Sequence, residues 1–484
     1  MVARKIFEWA AQTPESVAVV YNGQSWSYRA FASLIEKFRG YFSQRECIGE
    51  GFVVLAVNNL VVFWVLSLAL RSLGLTTIAV QSVENVASLT LPKVRCVFTS
   101  SRENWPSLQD ICRDKGWPLH SVSLNDEQFP HLSLGEMAQI RPGGHVLQTS
   151  GTTGTYKNIL MDPSFEEEYM RFRRQFTGVT QGSVVSVFGF GAWTGGCYKS
   201  SVSAWMAGAT VLIHQAPEPH KVLLYPGITH ALLTPYLLDE ILAIPEGELP
   251  LNKGMCLTIT GGNMTQAKID EARARITPHL FNGLSSTETN VFGFTPINTL
   301  DDRLWHRIVP GREVQIVDEF DHLVPTGVTG RLRVSTDGGP TGYLYDDVAT
   351  QSFFTDGFFY PGDLGLIRSD GRLALVGRTT DVINVRGQKI SPSIIEDKLK
   401  EMLGISGLCL FSSHNDMGEE SFHIAVEAID KVKEGDVTRI LNQELSGFLN
   451  AQIHFVAVLP RNHMGKVQRL AIMKLILEGG YKAQ

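Results

Sequence analysis

The sequence has no excess of positive charge and no organised set of cysteines. Its 43 lysines and arginines stand against 49 aspartates and glutamates, so the formal net charge of −6 offers no attraction to nucleic acid or to an anionic membrane. The six cysteines form neither CxxC pairs nor cysteine–histidine groups at metal-binding spacing. A disulfide framework, a zinc site and a nucleic-acid partner are therefore disfavoured, and we expect a reducing, cytoplasmic environment.

Long hydrophobic runs are also scarce. One stretch from Gly51 to Leu70 carries no charge and is in principle long enough to cross a bilayer. Asn58 and Asn59 interrupt its centre, where polar groups are costly in lipid, and this favours a buried strand followed by a buried helix over a membrane span. The first residues mix charged and polar side chains too early for a secretory signal, so we expect a folded helix there.

A chain of 484 residues that is 44% hydrophobic can bury a large core and is expected to divide into at least two parts. Short β-rich runs alternate with helical patterns through the first three quarters, which is typical of parallel sheets covered by helices. From about Val314, glycine-punctuated β patterns predict a smaller, more antiparallel sheet. We predict an α/β fold with a large N-terminal domain (1–379) of layered α/β subdomains plus a smaller β-rich subdomain. A small α+β C-terminal domain (380–484) follows a hinge near Arg378–Asp381.

Hydroxyl-bearing residues and glycines alternate from 147 to 157, in the segment LQTSGTTGTYK. Such a loop can fold its backbone N–H groups around phosphate oxygens, with Lys157 supplying positive charge. The lysine is not followed by Ser or Thr, so the segment is not a GxxxxGK[ST] loop. Taken alone, the pattern suits a Ser/Thr/Gly surface loop equally well.

Four further motifs follow in a fixed order. They are FNGLSSTET (281–289), FYPGDLG (359–365), GRTTDVINVRG (377–387) and MGKVQR (464–469). Together with the 147–157 segment, they resemble the signature series of the acyl-adenylate-forming superfamily, which joins acyl-CoA synthetases, adenylation domains of peptide synthetases and luciferases. The resemblance spans almost the whole chain.

The resemblance implies an ATP site. Glu288 matches a glutamate that positions Mg²⁺, and Thr287 matches a hydroxyl contact to the α-phosphate. Asp363 is similar to an acid that accepts hydrogen bonds from the ribose, with Arg378 as its cationic neighbour. The loop that holds the β- and γ-phosphates would comprise Thr149, Ser150, Gly151, Thr152, Thr153, Gly154 and Lys157. The other nucleotide contacts would be Gly262, Asn263, Asn282 and Leu284.

Lys466 looks like the catalytic lysine of the first half-reaction. A cation between the attacking carboxylate and the anionic α-phosphate offsets their repulsion and stabilises the developing charge. In the family, this lysine lies on the small, mobile domain and leaves when that domain rotates. The region around Gly387 then faces the site and forms a tunnel for the incoming thiol.

The acid should bind between the segments 190–197 and 260–263, because the matching family segments line the acyl site. The implied contacts are Trp193, Gly196, Cys197, Gly261 and Gly283. Trp193 fits a gate over the acid and a plain core tryptophan equally well. No aspartate in this region can pair with a substrate ammonium, which disfavours a free amino acid. The apolar, glycine-containing segments favour an aryl acid or a short to medium acyl chain.

Three positions depart from the family pattern. Leu284 and Ser285 stand where an aromatic residue and a glycine are usual, so adenine would be covered without ring stacking. Thr380 replaces the usual hinge acid, with Asp381 beside it, which leaves open how the hinge backbone is stabilised.

The predicted function is an acyl-CoA ligase that uses ATP and Mg²⁺, with CoA as co-substrate and a small carboxylic acid as substrate. Arg386 and Lys389 are weak candidates for contacts to the CoA 3′-phosphate. Transfer to a carrier protein's phosphopantetheine or to an amine is the alternative, because the first half-reaction is the same. A non-catalytic nucleotide- or acyl-binding protein is the third reading, and Lys466 argues against it. The sequence is compatible with a homodimer.

Overall fold

Two sheets of mainly parallel strands, covered by helices, form the larger part of the chain. The structure is a computed structural model. It describes residues 2–44, 49–124, 142–150, 156–215, 218–379, 381, 383–385, 388–414, 420–427, 432–444, 451–462 and 465–477.

The elements of these two sheets run in chain order from the first helix to a hairpin near residue 290. They are α1 (Val2–Gln12), β1 (Val17–Tyr21), β2 (Gln24–Ser27), α2 (Tyr28–Ser43), β3 (Phe52–Ala56), α3 (Leu60–Arg71), β4 (Thr76–Ala79), α4 (Val83–Ser88), β5 (Val94–Ser100), α5 (Leu108–Asp114), β6 (Leu119–Val122), β7 (His145–Ser150), β8 (Tyr156–Met161), α6 (Pro163–Thr177), β9 (Val184–Ser186), α7 (Gly195–Met206), β10 (Thr210–Ile213), β11 (His230–Leu233), α8 (Pro235–Leu242), β12 (Cys256–Thr260), α9 (Gln266–Arg275), β13 (His279–Ser286) and β14 (Asn290–Pro296).

The strand order is β6-β5-β3-β4-β7-β8 in the first sheet and β14-β13-β12-β11-β9-β10-β1-β2 in the second. Neighbouring strands are parallel except for the pairs β7–β8, β13–β14 and β1–β2. The predicted parallel α/β layers are thus confirmed, with antiparallel hairpins at sheet edges that the sequence pattern did not reveal. Two of these hairpins carry the motifs at 147–157 and 281–289.

A third, antiparallel sheet and a small C-terminal set of elements follow. The third sheet contains β15 (His306–Arg307), β16 (Val314–Val317), β17 (Gly330–Ser335), β18 (Phe354–Thr355), β19 (Phe358–Phe359), β20 (Asp363–Ile367) and β21 (Arg372–Arg378), with α10 (Asp347–Phe353) beside it. After it come β22 (Ile383–Val385), β23 (Gln388–Ile390), α11 (Pro392–Leu403), β24 (Leu408–His414), β25 (Glu420–Val426), α12 (Glu434–Glu444), β26 (Gln452–Phe455) and α13 (Arg469–Leu477). Short 3-10 turns occupy Pro219–Val222 and Asp301–Arg303. The α/β fold class is confirmed, whereas the boundary at 379/380 stays a prediction.

Helix α3 shows why the uncharged stretch is a core element. Every one of its residues is buried, and Asn59 caps its N-terminus by accepting hydrogen bonds from the backbone N–H groups of Val61 and Val62. The carboxylate of Glu103 accepts the N–H groups of Asn58 and Asn59 at 2.7 and 2.9 Å. The two asparagines therefore end a strand and start a helix, as predicted. Within the described ranges, no helix combines the length and apolarity that a membrane crossing requires.

One buried polar network ties this core together. Arg71, at the end of α3, forms a fully buried ion pair with Glu166 of α6 at 2.7 Å, and it donates to the hydroxyl of Tyr198 on α7 at 2.9 Å. Its Nε donates to the carbonyl of Gly143 at 3.0 Å, and the Tyr198 hydroxyl also donates to Glu166. Because a buried charge is costly without partners, this network links α3, α6 and α7 in one arrangement.

Candidate functional site

The β7–β8 hairpin presents the first predicted phosphate-binding residues. Thr149 lies opposite Lys157, and Ser150 opposite Tyr156, in antiparallel register. Gly151, Thr152, Thr153 and Gly154 lie outside the described residues. The hairpin therefore places Thr149 and Lys157 at the base of the loop that joins its strands.

The side chain of Lys157 lies over two aromatic rings. Its Nζ is 3.9 Å from the ring centre of Phe353 and 5.3 Å from that of Tyr343. Cation–π contacts of this kind hold an ammonium in place without neutralising it. Burial lowers the pKa of Lys157, and the negative charges of Glu288 and Asp346 oppose that shift. The predicted loop lysine and the predicted metal-positioning glutamate therefore share one electrostatic environment.

Glu288 occupies the connection between β13 and β14 and is 6% exposed. The hydroxyl of Tyr343 donates to its Oε1 at 3.0 Å, and this orients one carboxylate oxygen. Burial raises the pKa of Tyr343, as does the neighbouring Glu288 charge, so the hydroxyl stays a donor. Glu288 is thus a buried carboxylate that is oriented by the Tyr343 hydroxyl, and the ring of Tyr343 also contacts Lys157.

The backbone at Thr287 is fixed by two buried side chains. The hydroxyl of Tyr169 donates to the Thr287 carbonyl at 3.0 Å, and Nζ of Lys199 donates to the carbonyls of Ser286 and Thr287 at 2.5 and 3.3 Å. Burial lowers the pKa of Lys199 well below its usual range; the nearby Arg173 and Arg312 charges act in the same direction, and Glu288 opposes them. These contacts hold the turn that carries the predicted α-phosphate and metal contacts.

A second group of predicted residues meets around Asp363. Arg378 lies opposite Asp363 on the neighbouring strand, and its Nε is 2.8 Å from Oδ1 of that acid. Burial raises the pKa of Asp363, and the charges of Arg378 and Lys466 oppose the shift. The pKa of Lys466 is lowered by surrounding protein atoms and by the charge of Arg378, although its side chain is exposed to solvent. The C-terminal lysine is therefore close enough to interact with the predicted ribose-binding pair.

Lys466 also approaches the second sheet. A Cβ atom added at Gly261 would lie 3.9 Å from Cε of Lys466. The preceding Gly465 has φ +76°, and a Cβ there would collide with Tyr236 at the start of α8. The motif glycine thus allows the lysine-bearing turn to pack directly against the larger part of the chain.

Polar contacts fix α11 against the same surface. The amide of Asn263 donates to Oδ2 of Asp397 at 2.6 Å, and Arg303 pairs with Glu401. Asp381 pairs with Arg469, three residues after the lysine. The acid beside the predicted hinge position thereby contacts the lysine-bearing segment. Thr380, Arg386 and Gly387 lie outside the described residues, and Lys389 lies on β23.

A cavity of about 50 Å³ opens beside the ends of β12 and β13. Gly283 and Leu284, two of the predicted contacts, line it together with Thr260. The remaining wall is mixed, with apolar, hydroxyl and basic side chains and no aspartate or glutamate among the described residues. It comprises Arg173, Thr177, Val179, Val185, Ser200, Ser203, His230, Ala231, Leu232, Thr258, Ser285, Val291 and Phe294.

Several other predicted contacts lie outside this wall. Cys197 is fully buried in the core, where its thiol interacts with Trp64 and Ser201, and a Cβ at Gly196 would meet the ring of Phe190 at 2.6 Å. The carbonyl of Trp193 accepts the N–H of Gln148. Their assignment to the acid, like every assigned site role, stays a prediction.

Two predicted nucleotide contacts have neighbours from other elements. Asn282 is buried and donates to the carbonyl of Arg303 at 2.8 Å. A Cβ at Gly262 would lie 3.3 Å from Pro235.

Three polar residues of the site were missed by sequence reasoning. Lys199 carried a signal, because it is the only charged residue in α7. Tyr343 and Arg173 carried none that distinguishes them from other surface or core residues. Both reach the site through packing between elements far apart in sequence.

Comparisons with known proteins identify related sequences and folds. Residues 6–344 match the family model described as AMP-binding enzyme. The 2-succinylbenzoate–CoA ligase of Listeria monocytogenes serotype 4b (strain F2365) is 23% identical over 483 residues, covering 94% of this chain and 96% of the relative.

Two solved structures share the fold. O-succinylbenzoate coenzyme A synthetase (MenE) from Bacillus subtilis, in complex with ATP and magnesium ion, superimposes with a TM-score of 0.83 at 16% identity, over 97% of this chain and 99% of that one. The amide bond synthetase McbA from Marinactinospora thermotolerans superimposes with a TM-score of 0.82 at 18% identity, over 98% of this chain and 99% of that one. At these identities, the likeness establishes the fold.

Proposed function

Because the chain belongs to the AMP-binding enzyme family, we propose that it activates a carboxylic acid with ATP and passes the acyl group to the thiol of CoA. The observation that carries this proposal is the position of Lys466. Its cation lies near Asp363, Arg378 and Gly261, although it is more than eighty residues away from each of them in sequence. A nucleotide-binding protein without turnover has no need of a lysine delivered to this place.

In the proposed first half-reaction, a carboxylate oxygen of the acid bonds to the α-phosphorus of ATP while the bond to the β-phosphate oxygen breaks. Pyrophosphate leaves and the acyl adenylate remains. Lys466 stabilises the negative charge that builds up around the α-phosphorus, and Asp363 accepts hydrogen bonds from the ribose. Lys157 contacts the outer phosphates, with its ammonium kept in place by Tyr343 and Phe353.

The donor set at Glu288 fits a magnesium ion that is bound jointly by protein and nucleotide. The described residues contain no group of three or more His, Cys, Asp or Glu side chains that could hold a metal. Mg²⁺ commonly binds through one or two carboxylates plus substrate phosphates. Glu288, oriented by Tyr343, would supply that carboxylate, and the bound ion would neutralise phosphate charge.

In the proposed second half-reaction, the thiol sulfur bonds to the acyl carbon, the thiol proton is lost, and AMP leaves with the former acid oxygen. Thiol transfer is supported by the relative from Listeria monocytogenes, a CoA ligase that spans almost the whole chain. The likeness to an amide bond synthetase concerns the fold and does not identify the acceptor. An amine or a carrier-protein thiol is the alternative acceptor, because the first half-reaction would be the same.

The cavity supports an acid that carries no free ammonium. None of the described residues in its wall is an aspartate or a glutamate, and Arg173 and His230 line it. A buried ammonium would lack a partner and would be repelled by the guanidinium. We therefore propose an aryl acid or a short to medium acyl chain.

The test is pyrophosphate release with ATP and Mg²⁺ across aryl, short-chain, medium-chain and amino acids, with and without CoA. Stimulation by a non-amino acid, with CoA converted to a thioester, is the expected result. If the adenylate forms but CoA is not converted to a thioester, the acceptor is an amine or a carrier protein. If no acid stimulates release, the proposed chemistry is wrong.

A further inference from the structure

Arg173 is a cation in the cavity wall, and the described part of the chain offers it no matching anion. It lies on α6, and both Arg173 and Thr177, one turn later, line the cavity. Among the described residues, no carboxylate lies within ion-pair distance of its guanidinium, and its recorded charge interactions are with Tyr169 and Lys199. Burial lowers the pKa of Arg173, but a guanidinium remains charged throughout the physiological range.

Two other arginines of this region have partners. Arg171, on the same helix, pairs with Glu168 at 3.0 Å near the surface. Arg312 donates to the carbonyls of Ser335 and Asp337 at 3.0 and 3.2 Å. Lys199 is likewise held by two carbonyls. Since a partly buried charge without a counter-charge is costly, a bound anion would stabilise Arg173.

The cavity can take such an anion. Ser200 and Ser203 lie three residues apart on α7, so their side chains share one helix face, and both line the cavity. Hydroxyls of this kind donate to carboxylate oxygens. The volume of about 50 Å³ exceeds the ~10–15 Å³ that a single water needs, which leaves room for a small polar group and part of a chain.

Arg173 and Lys466 come from different elements and lie near different strand ends. Lys466 approaches Gly261, directly after Thr260 at the end of β12. Arg173 instead follows Tyr169 by one helical turn, towards Thr177, and shares the wall with His230 at the start of β11. His230 lies opposite Cys256, at the start of β12, whereas Thr260 ends that strand. An acid that lies along these strands with its carboxylate towards Lys466 would therefore direct its far end towards His230 and Arg173, which share the wall.

We propose that the acid carries a second carboxylate, and that Arg173 binds this distal group. The proposal rests on the proposed function, since it specifies the substrate class of the same site. A guanidinium binds a carboxylate through two parallel hydrogen bonds, which gives both affinity and orientation. The substrate class is therefore a short dicarboxylic acid, aliphatic or aryl, that is activated at one end only.

The test compares each dicarboxylic acid with its monoamide of equal length, by kcat/KM for pyrophosphate release. Wild-type protein should prefer the diacid by about 10- to 100-fold, the range expected for a hydrogen-bonded charged pair. Arg173→Met should remove this preference, mainly by raising KM for the diacid, and Arg173→Lys should retain part of it. Arg171→Met is the matched control on the same helix and should leave the preference intact.

Three outcomes would overturn the proposal. Wild-type protein that activates monoacids or monoamides without preferring diacids would refute it while leaving the proposed function standing. An equal loss for both members of each pair in Arg173→Met would show that Arg173 acts on the reacting carboxylate instead. Retained preference in a folded Arg173→Met variant would show that another group binds the distal carboxylate. Absence of release with every acid would count against the proposed function itself.

Discussion

Replacing Lys466 with alanine removes the cation that we place at the α-phosphate. Two unit charges about 4 Å apart interact by about 4 kcal/mol at the effective dielectric constant of ~20 that suits a solvent-accessible cleft. Each ~1.4 kcal/mol is a factor of ten, so the loss corresponds to about 10²–10³-fold in the rate of adenylate formation. Lys466 projects from a turn and has no carboxylate within ion-pair distance among the described residues, so folding should be preserved.

The assay is exchange of labelled pyrophosphate into ATP in the presence of the acid. Lys466→Ala should lose exchange by this factor and should still bind ATP in a fluorescence or calorimetric titration. Lys474→Ala, an exposed lysine on α13, is the matched control and should exchange at the wild-type rate. Exchange within threefold of wild type in Lys466→Ala would refute the role assigned to this lysine.

Three further predictions concern protonation, metal positioning and stability. Because its surroundings lower the pKa of Lys466, the ammonium should lose its proton at a pH below the usual value of 10.5. The rate of pyrophosphate exchange should therefore decline with rising pH with a midpoint below 10.5. A midpoint at or above 10.5 would contradict the proposed environment of the lysine. Tyr343→Phe removes the hydroxyl donor that orients Glu288 and should raise the Mg²⁺ concentration that gives half-maximal exchange by about 10- to 100-fold. An unchanged Mg²⁺ requirement would contradict the metal-binding role proposed for Glu288. Arg71→Met leaves Glu166 buried without its counter-charge and should lower the free energy of unfolding by about 3–5 kcal/mol in urea titrations. Replacement of the exposed Arg171 in Arg171→Met should change it by less than about 0.5 kcal/mol.

Local sequence patterns predicted the layered fold well, because helices and strands differ in the spacing of their hydrophobic residues and in the residue types at their ends. The uncharged stretch was assigned correctly since Asn58 and Asn59 mark the change from strand to helix, and Asn59 is the helix cap. The hairpins at the sheet edges were missed because strand direction depends on pairing between segments. In the β7–β8 hairpin, for example, five residues separate Ser150 from Tyr156, and the antiparallel pairing of the two strands is visible only in the sheet.

The motifs found individual residues of the candidate site but not their supports. Glu288 and Lys466 were singled out because the ordered motifs that contain them resemble the signature series of the acyl-adenylate-forming superfamily. Tyr343 and Arg173 were not, because Tyr343 lies in the connection between β17 and α10, Arg173 lies on α6, and neither belongs to one of the motifs. The proximity of Lys466 to Asp363 also depends on packing of the C-terminal elements, through contacts such as Asn263 with Asp397.

The most direct test of the central claim is isolation of the acyl adenylate. Wild-type protein is incubated with ATP, Mg²⁺ and a candidate acid in the absence of any acceptor, and the products are measured by mass spectrometry. The account predicts an acyl-AMP species that forms in equal amount with pyrophosphate and that CoA converts to a thioester and AMP. Release of ADP and phosphate in place of AMP and pyrophosphate, with every acid that supports turnover, would contradict it.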